Sequence, residues 1–426
     1  MDAARLHQER RPRILIVGAG FGGLQCAKAL RGRAVDVTIV DPRDYHLFTP
    51  LLYQVASCLL NPSEVAAPIR KVFRGVPNVR YRQDEVVELD HDARRAALAS
   101  GVVLDYDACV LATGSATNYY GNTSVEQHAL GLKDLSEALQ LRNHVLTCFE
   151  QATTIDDDDA RRRLLTFCVV GAGPTGVEYA GALAEFVRLV VPPEYPELAT
   201  TTVRILLLEG GDRVLAPFKP RLSAYTARQL ARLGVEVRTR TLVTSADDAG
   251  VVLHDGTELP TATMVWTAGV RPRSSFDTPG IRPDTGPFGR IEVDDRFRVA
   301  GTTSTYAIGD VAAGPGPRGS VLPMLAPPAM QAGRFVAAEI LGEGGRAFRY
   351  RDKGMLATIG RRAAVGQIGP LTFTGLIGWI AWLVVHLYYL IGFENRVRVV
   401  MRWAWYYVRL DRPVRIILRA DEPRPD

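Results

Sequence analysis

One local pattern occurs twice in this 426-residue chain and limits its fold more than any other feature. A short apolar strand ends in a glycine-rich turn, and a helical pattern follows at once: residues 13–17 precede GAGFGG, and residues 165–170 precede GAGPTG. This order, completed by a second strand, is a βαβ unit. The two glycine loops begin 153 residues apart, too far for a solenoid repeat and suitable for two successive domains. The sequence therefore predicts an α/β protein with two Rossmann-like dinucleotide-binding domains.

Each glycine of a GxGxxG loop has a separate task. The first allows the tight turn, the second lets a pyrophosphate approach the backbone, and the third lets helix and strand pack closely. The helix that follows presents free N–H groups to the phosphates. These tasks predict cofactor-binding roles for Gly18, Gly20 and Gly23 in the first loop and for Gly171, Gly173 and Gly176 in the second.

An acid ends the second strand of each unit. Asp41 follows Gly18 by 23 residues, and Glu209 follows Gly171 by 38. A carboxylate at this position can accept hydrogen bonds from ribose hydroxyls, although an ordinary strand-end acid is the alternative. Glu209 would also repel a 2′-phosphate, which favours NADH over NADPH, while the nearby Arg213 weakens this preference. Two such sites on one chain indicate a flavin dinucleotide beside a nicotinamide dinucleotide, with hydride passing between the rings.

The positive charge of the chain is concentrated near its C-terminus. Residues 394–420 hold seven arginines and two acids, Glu394 and Asp411, so the net charge of this segment is +5. The net charge of the whole chain is the same. The remaining residues are balanced, so a general nucleic-acid-binding surface is not expected. The seven arginines are Arg396, Arg398, Arg402, Arg409, Arg412, Arg415 and Arg419.

An apolar stretch precedes this basic tail. Residues 373–393 have no formal charge apart from any on His386, and their length would suffice to span a bilayer. Two short helices lying on the membrane are the alternative, with breaks offered by glycines at 375, 378 and 392. We expect four tryptophans at the headgroup level: Trp379, Trp382, Trp403 and Trp405. A buried helix pair would explain the tryptophans alone, whereas an amphipathic homodimer interface would explain both the tryptophans and the arginines.

Further motifs resemble those of the two-dinucleotide-domain flavoproteins. Ala112-Thr113-Gly114 and Thr267-Ala268-Gly269 resemble the crossings between the domains of that family, and residues 306–310 (YAIGD) resemble its second FAD motif. In that family the first loop binds FAD. The resemblance therefore gives cofactor-binding roles to Thr113, Gly114, Gly269 and Asp310, the last as a partner of the ribityl chain. An acid that caps the turn before Val311 is the alternative for Asp310.

Three stretches sharpen the resemblance: residues 41–56 (DPRDYHLFTPLLYQVA), 173–178 (GPTGVE) and 392–396 (GFENR). They resemble type II NADH:quinone oxidoreductases, and the similarity extends from about residue 12 to residue 420. The family implies FAD, NADH, a membrane quinone as electron acceptor and no proton pumping. It also implies a peripheral position on the membrane, held through the C-terminal helices.

The resemblance also gives two catalytic candidates. Glu178 is placed near the nicotinamide and flavin rings, where a carboxylate can relay protons, although an acid early in a helix is also favoured by the helix dipole. Gln331 is a candidate quinone contact within the segment 325–333, which resembles a helix that begins beside the flavin. A helix residue with its side chain in solvent is the alternative for Gln331.

The five cysteines form no CxxC or other close pair, so neither a zinc site nor a dithiol centre is expected, and no metal is expected. Cys58 lacks the partner that a disulfide reductase needs, and we expect an inert thiol there. A sulfide:quinone oxidoreductase would also need paired cysteines. A soluble ferredoxin-type reductase would leave the aromatic, basic tail unexplained. A membrane-docked nucleotide sensor without turnover is an alternative from a different class.

These observations predict four segments. Residues 11–120 and 276–345 would form the FAD-binding domain, 121–275 the NADH-binding domain, and 346–426 a membrane-association region that contacts lipid through 373–419. The first residues contain no apolar segment of a secretory signal, so we expect the cytoplasmic face of the cell membrane.

Overall fold

The computed structural model of the chain describes residues 10–198, 203–273, 289–345, 347–409, 412 and 414–417. Asp411 and Arg419 of the basic tail lie outside these residues. The helices within them are α1 Phe21–Leu30, α2 Leu52–Ala56, α3 Pro62–Val65, α4 Ile69–Val72, α5 Thr123–His128, α6 Leu135–Thr154, α7 Asp158–Leu164, α8 Pro174–Glu194, α9 Pro220–Arg232, α10 Ala326–Ile340, α11 Gly375–Tyr389 and α12 Phe393–Arg409.

The strands are β1 Arg13–Val17, β2 Asp36–Asp41, β3 Tyr45–Leu47, β4 Ala66–Pro68, β5 Val79–Gln83, β6 Val86–Asp90, β7 Arg95–Leu98, β8 Val103–Asp105, β9 Ala108–Leu111, β10 Ser115–Thr117, β11 Ala129–Gly131, β12 Thr166–Val170, β13 Arg204–Leu208, β14 Val235–Arg238, β15 Val243–Ala246, β16 Gly250–Leu253, β17 Glu258–Pro260, β18 Thr263–Trp266, β19 Val270–Pro272, β20 Ile291–Glu292, β21 Thr305–Ala307, β22 Ala312–Ala313, β23 Met355–Gly360, β24 Ala363–Ile368 and β25 Leu371–Thr374.

The chain divides into two compact units. The first unit comprises Met1–His46, Ala67–Ala116 and Val270–Lys353, and the second comprises Leu47–Ala66, Thr117–Gly269 and Gly354–Asp426. The segment boundaries given above, at residues 120, 275 and 345, stay a prediction.

The first unit is built on a parallel five-stranded sheet with the order β21-β9-β1-β2-β5. In the centre, Val17 pairs in register with Val40 on one side and with Leu111 on the other. The central strand β1 is almost entirely buried, as expected of a strand covered on both faces. Its carboxyl end leads directly into the first glycine loop and α1, so the first predicted βαβ unit is present.

The second unit repeats this plan with the order β11-β18-β12-β13-β14, again parallel. The strand β12 is buried throughout and enters the second glycine loop, which α8 follows. The helix extends to Glu194 and includes Pro192 and Pro193 in its last turn. Each proline removes one backbone N–H donor, and the helix ends one residue after them. Both dinucleotide-binding folds of the sequence prediction are therefore confirmed.

The charged run at residues 154–163 (TTIDDDDARR) by itself predicts a solvated loop before β12. This prediction is wrong, because α7 begins within the run. The Asp157 side chain accepts hydrogen bonds from the backbone N–H groups of Asp159 and Ala160, so the acidic run caps a helix.

The C-terminal part of the second unit holds the antiparallel sheet β23-β24-β25 and then α11 and α12. The predicted breaks are only partly used. Gly375 begins α11 with φ +65°, and Gly392 lies between α11 and α12 with φ +90°. Gly378 instead lies inside α11, where a Cβ would come within 2.8 Å of the Ala364 carbonyl oxygen. Among the described residues, no helix combines the length and the apolar character needed to cross a bilayer.

Candidate active site

The first glycine loop meets the steric demands that the sequence predicts. Gly18 has φ +103°, and a Cβ there would clash with the Ala112 carbonyl oxygen. A Cβ on Gly23 would clash with the Gly18 carbonyl oxygen. Gly20 differs, because its φ of −67° suits any residue and no atom lies within 4 Å of where its Cβ would be. The chain itself requires the first and third glycines, while the second leaves open space at the N-terminus of α1.

The second loop has the same three properties. Gly171 has φ +96°, and a Cβ there would lie 2.6 Å from the Ala268 Cα. A Cβ on Gly176 would clash with the Gly171 carbonyl oxygen, whereas Gly173, with φ −70°, again faces open space. Each loop therefore fits a pyrophosphate, since the chain is crowded at the first and third glycines and open at the second, which the phosphates would approach.

The two strand-end acids hold their loops in the same way. Asp41 accepts the Ala19 N–H on Oδ2 at 2.7 Å, and Glu209 accepts the Ala172 N–H on Oε2 at 2.7 Å. The other oxygen of each acid accepts the backbone N–H found two residues beyond it. Each carboxylate oxygen keeps a lone pair for a ribose hydroxyl. The acids thus brace the glycine turn, a structural role that the spacing alone did not reveal.

The second FAD motif is ordered around Asp310. Its Oδ2 accepts a 2.5 Å hydrogen bond from the Ser115 hydroxyl, and the preceding Gly309 has φ +75°. The guanidinium of Arg290, which sequence reasoning missed, is buried near this carboxylate and donates to the Leu322 carbonyl oxygen at 2.7 Å. In the neighbouring crossing, the Thr113 hydroxyl donates to the Arg273 carbonyl oxygen at 2.7 Å, and Gly114 has φ +75°.

In the second unit, Gly269 ends the other crossing with φ +146°. A Cβ there would clash with the hydroxyl of Tyr120, which donates to the Ala268 carbonyl oxygen at 2.9 Å. Thr267 donates its hydroxyl to the carbonyl oxygens of Val170 and Gly171, at 2.9 and 2.8 Å. The crossing is therefore bonded directly to the second glycine loop.

Gln331 lies on α10, the helix that begins at Ala326 as the segment 325–333 predicts. Its side-chain amide bonds twice with the backbone of Arg351, donating to the carbonyl oxygen and accepting the N–H, each at 3.0 Å. The side chain is partly exposed and bonded to the backbone, and its role as a quinone contact stays a prediction.

Glu178 lies in the first turns of α8 and is 8% exposed. Its Oε1 accepts two hydrogen bonds, from the Thr358 N–H at 3.2 Å and from the Trp382 indole N–H at 3.1 Å. Burial raises the pKa of this carboxyl to about 8, and the two donors oppose the rise. A carboxyl with a pKa near neutrality exists in both protonation states under working conditions, as a proton relay requires.

A cavity of about 30 Å³ lies beside Glu178, large enough for a water molecule. A second acid of α8, Glu185, also lines it and is bonded to the C-terminal part of the unit. Its Oε2 accepts the Tyr406 hydroxyl at 2.9 Å and lies 3.4 Å from the buried guanidinium of Arg412. Sequence reasoning did not single out Glu185, because nothing in the local pattern distinguishes it from a solvated helix residue.

Comparison with known proteins identifies the family of the chain. Residues 12–333 match the model of the pyridine nucleotide-disulphide oxidoreductase family. The chain is 36% identical over 412 residues to the type II NADH:quinone oxidoreductase Ndh of Mycobacterium tuberculosis, covering 92% of this chain and 88% of the relative. The chain belongs to the type II NADH:quinone oxidoreductases. The predicted family is confirmed.

One further relative and one solved structure are similar to the chain over most of its length. An internal alternative NAD(P)H-ubiquinone oxidoreductase from Arabidopsis thaliana mitochondria is 30% identical over 436 residues, covering 93% of this chain and 84% of the relative. The structure of NDH2 from Plasmodium falciparum in complex with NADH superposes with a TM-score of 0.87 at 21% identity, covering 96% of this chain and all of that one. The fold of this type II oxidoreductase is therefore the predicted α/β architecture.

The C-terminal helices of this type II oxidoreductase correct one prediction. Trp382 and Trp403, expected at the headgroup level, are 2% and 6% exposed. Their indole N–H groups donate inward, Trp382 to Glu178 and Trp403 to Gln54 Oε1 at 2.9 Å. Trp405 is exposed and Trp379 is partly exposed. Two tryptophans are therefore buried and two lie at the surface. Burial of an indole ring is favourable when its N–H finds a buried acceptor, as in Trp382 and Trp403.

Two residues are packing groups. His386 stacks on Trp382 with the ring centroids 4.1 Å apart, and burial lowers the pKa of its imidazole to about 4, so the ring is neutral. Burial raises the pKa of the Cys58 thiol to about 11, which keeps it protonated and unreactive. All five cysteines are free and buried. Within the described part of the chain, no group of acids, histidines and cysteines could hold a metal ion.

Proposed function

We propose that this protein oxidises NADH and passes two electrons through bound FAD to a membrane quinone without pumping protons. The observation that carries the proposal is the pair of glycine loops, each sterically closed at its first and third glycines and open at the second. Family membership supplies the reaction. When bound, FAD supplies a ring that accepts a hydride from the nicotinamide and returns the electrons to the acceptor.

The first unit binds FAD and the second binds NADH. FAD is held by Gly18, Gly20, Gly23, Asp41, Thr113, Gly114 and Asp310, and NADH by Gly171, Gly173, Gly176, Glu209 and Gly269. Glu209 favours NADH, because its carboxylate receives ribose hydroxyls and repels a 2′-phosphate. The four segments given from the sequence are retained as the domain assignment.

Two residues serve the quinone reaction. Glu178 holds and releases a proton, since burial places its pKa near the working pH. Gln331 is the quinone contact. Its side-chain amide would release the hydrogen bonds to the Arg351 backbone and donate to a quinone oxygen instead.

Stopped-flow absorbance tests the reaction. We expect the flavin absorbance to bleach on mixing with NADH and to recover on adding a soluble quinone analogue under anaerobic conditions. Recovery with oxygen alone would overturn the quinone assignment, and recovery with a protein acceptor alone would favour another flavin-dependent reductase. Absence of bleaching would favour a nucleotide sensor.

The protein attaches peripherally to the cytoplasmic face of the cell membrane through 373–419. Most of the exposed large apolar side chains in the described part of the chain belong to this segment: Leu376, Ile377, Ile380, Val384, Val385, Tyr388, Phe393, Val397, Val400, Met401, Trp405, Val408 and Ile416. Arginines of α12 accompany them and attract anionic headgroups. A homodimer through the same surface is the second candidate, because it would cover the same side chains.

The lipid surface can be tested with paired substitutions. Ile377 and Val384 are 72% and 62% exposed and lie seven residues apart on one face of α11. We expect Ile377→Ser with Val384→Ser to weaken sedimentation with anionic vesicles by at least about tenfold, because each buried side chain contributes roughly 1.5–3 kcal/mol. The matched control carries serine in place of Val103 and Leu242, which are exposed outside residues 373–419. This variant should bind the vesicles as the wild type does.

Sedimentation velocity without lipid separates the two candidates for this surface. Unchanged vesicle binding by the Ile377 and Val384 variant would contradict the lipid assignment. If that variant also changes a wild-type dimer into a monomer, the surface is a dimer interface.

A further inference from the structure

Two indole N–H groups reach into the interior of the second unit from the two C-terminal helices. Trp382 of α11 donates to Glu178 Oε1 at 3.1 Å, and Trp403 of α12 donates to Gln54 Oε1 at 2.9 Å. Both side chains are buried, and their rings lie 5.9 Å apart. The Trp382 bond ends on a carboxyl, which can gain or lose a proton, whereas the Trp403 bond ends on an uncharged amide. Only Trp382 can therefore influence the protonation of its acceptor.

The surroundings of Trp382 leave its ring little freedom. Its ring stacks on His386 at 4.1 Å, and Tyr53 packs against it with centroids 6.3 Å apart. The His386 Nδ1 is bonded to the Trp382 carbonyl oxygen at 2.7 Å, which holds the two side chains in register on α11. A donor held in this way keeps its direction when the charge of its acceptor changes.

The two oxygens of the Glu178 carboxyl are not equivalent. The Thr358 N–H and the Trp382 indole N–H both end on Oε1, and among the described residues no hydrogen bond ends on Oε2. An oxygen that accepts two N–H donors is a poor site for a proton, because a proton there would have to displace one of them. The proton is therefore directed to Oε2.

We propose that Trp382 is a positioning residue for Glu178: the indole N–H delivered by α11 holds Oε1, so that Oε2 is the oxygen that gains and loses the proton. The inference rests on the proposed proton-handling role of Glu178. Trp382 acts on the proton through Glu178, because its indole N–H donates to the oxygen that does not carry the proton. It couples the helix that carries the apolar surface of the second unit to the acid that handles protons.

Several other groups face the same cavity and must be considered as sources of pH dependence. They are Tyr53 of α2, Tyr406 and Tyr407 of α12, Glu185 of α8, Arg361 after β23, and Arg412. His386 of α11 does not line the cavity but stacks on Trp382. Burial raises the pKa of each tyrosine and lowers that of His386 to about 4, so these groups stay neutral near pH 8. Glu185 is paired with Arg412. Replacing Trp382 by phenylalanine changes the charge of none of them.

The experiment compares three variants of the full-length protein: Trp382→Phe, Trp403→Phe and Glu178→Gln. The readouts are the pH profile of kcat with a soluble quinone analogue and the infrared band of the protonated carboxyl that Glu178→Gln removes. Loss of a donor to a carboxylate raises its pKa, and one charge-assisted hydrogen bond corresponds to roughly one pH unit. We expect an upward shift of about that size in Trp382→Phe, with an unchanged KM for NADH.

Trp403→Phe is the matched control, since it removes an equally buried indole whose N–H ends on an uncharged amide. We expect its pH profile and its carboxyl band to match those of the wild type. An equal shift in Trp403→Phe would mean that aromatic packing in general, and not the bond to Oε1, governs Glu178.

The remaining outcomes separate this inference from the proposed function. A pH transition and a carboxyl band that survive in Glu178→Gln would overturn the role of Glu178 and the inference with it. A transition that disappears in Glu178→Gln but is unshifted in Trp382→Phe would overturn the role of Trp382 alone. If Trp382→Phe does not fold, site-specific benzothienylalanine at position 382 keeps the ring shape and removes only the N–H, and the same shift is expected.

Discussion

Replacing Gly20 by alanine should give a folded protein that does not retain FAD. The backbone at Gly20, with φ −67° and ψ −166°, is open to any residue, and no chain atom lies within 4 Å of the added Cβ. Alanine lowers the backbone entropy of the unfolded chain, which stabilises the folded protein by about 0.4–1 kcal/mol. Alanine is also a poorer N-cap than glycine, which acts in the opposite direction. The stability of the FAD-free protein should therefore change by less than about 1 kcal/mol.

The added methyl group would occupy the space that a pyrophosphate needs. The phosphates would withdraw from the N–H groups of α1, and each lost charge-assisted hydrogen bond costs roughly 1.5–3 kcal/mol, or about tenfold to a hundredfold in affinity. We expect Gly20→Ala to lose most of its flavin during purification. The flavin absorbance per protein and the melting temperature of the FAD-free protein measure the two effects separately.

Gly173→Ala is the matched control, because it makes the same substitution in the second glycine loop. Gly173 has the same backbone geometry and open space in the second loop. This variant should retain FAD at the wild-type level and raise the KM for NADH by at least about tenfold. If Gly20→Ala instead keeps its FAD and loses NADH affinity, the assignment of the two loops is reversed.

Glu178→Gln should slow the return of electrons to the quinone by about 10²- to 10⁴-fold, the usual contribution of a positioned proton donor or acceptor. Glutamine keeps an oxygen that can accept the Thr358 and Trp382 N–H groups but does not titrate. Bleaching by NADH should be affected less than recovery with the quinone analogue. Stopped-flow absorbance measures the two half-reactions separately.

The same substitution has a predictable effect on stability. The pKa of Glu178 is about 8 in the folded chain against 4.5 for a glutamate in water, so the folded state favours the protonated carboxyl. Ionisation therefore costs stability progressively as pH rises from about 4.5 to 8, and the cost is full above that range. We expect Glu178→Gln to be more stable than the wild type at pH 9, by at most roughly 5 kcal/mol, and about equally stable at pH 4.

Glu185→Gln is the matched control on the same helix. It removes a buried carboxylate that is paired with Arg412 and bonded to Tyr406, so it should lower stability without removing the pH transition of the quinone reaction. Loss of the transition in Glu185→Gln, with a normal transition in Glu178→Gln, would transfer the proton role to Glu185.

The two glycine loops were predictable because their requirements are local. A tight turn needs a positive φ at Gly18 and Gly171, and close packing excludes a Cβ at Gly23 and Gly176. These constraints act within a few residues of chain, as do the strands that flank them. The acids Asp41 and Glu209 could be placed for the same reason, since each follows directly from the end of a strand.

The capping of α7 and the length of α8 were not predicted correctly, although both are also local. An acidic run looks like a solvated loop until its first member is seen to cap a helix. The prolines at 192 and 193 predict that α8 ends before them, because proline cannot donate a backbone hydrogen bond. The structure instead continues the helix through both prolines to Glu194.

The sequence by itself determined the two dinucleotide-binding folds, the family and the residues of the glycine loops, because backbone geometry and short-range sterics are written in neighbouring residues. Only the tertiary structure decided that Glu178 is buried with two N–H donors on one oxygen, that Glu185 shares its cavity, and that Trp382 and Trp403 turn inward. A pKa depends on burial and on donors from distant segments, here Thr358 and Trp382. The helix α11 is apolar on every side, so only packing selects the face that is buried.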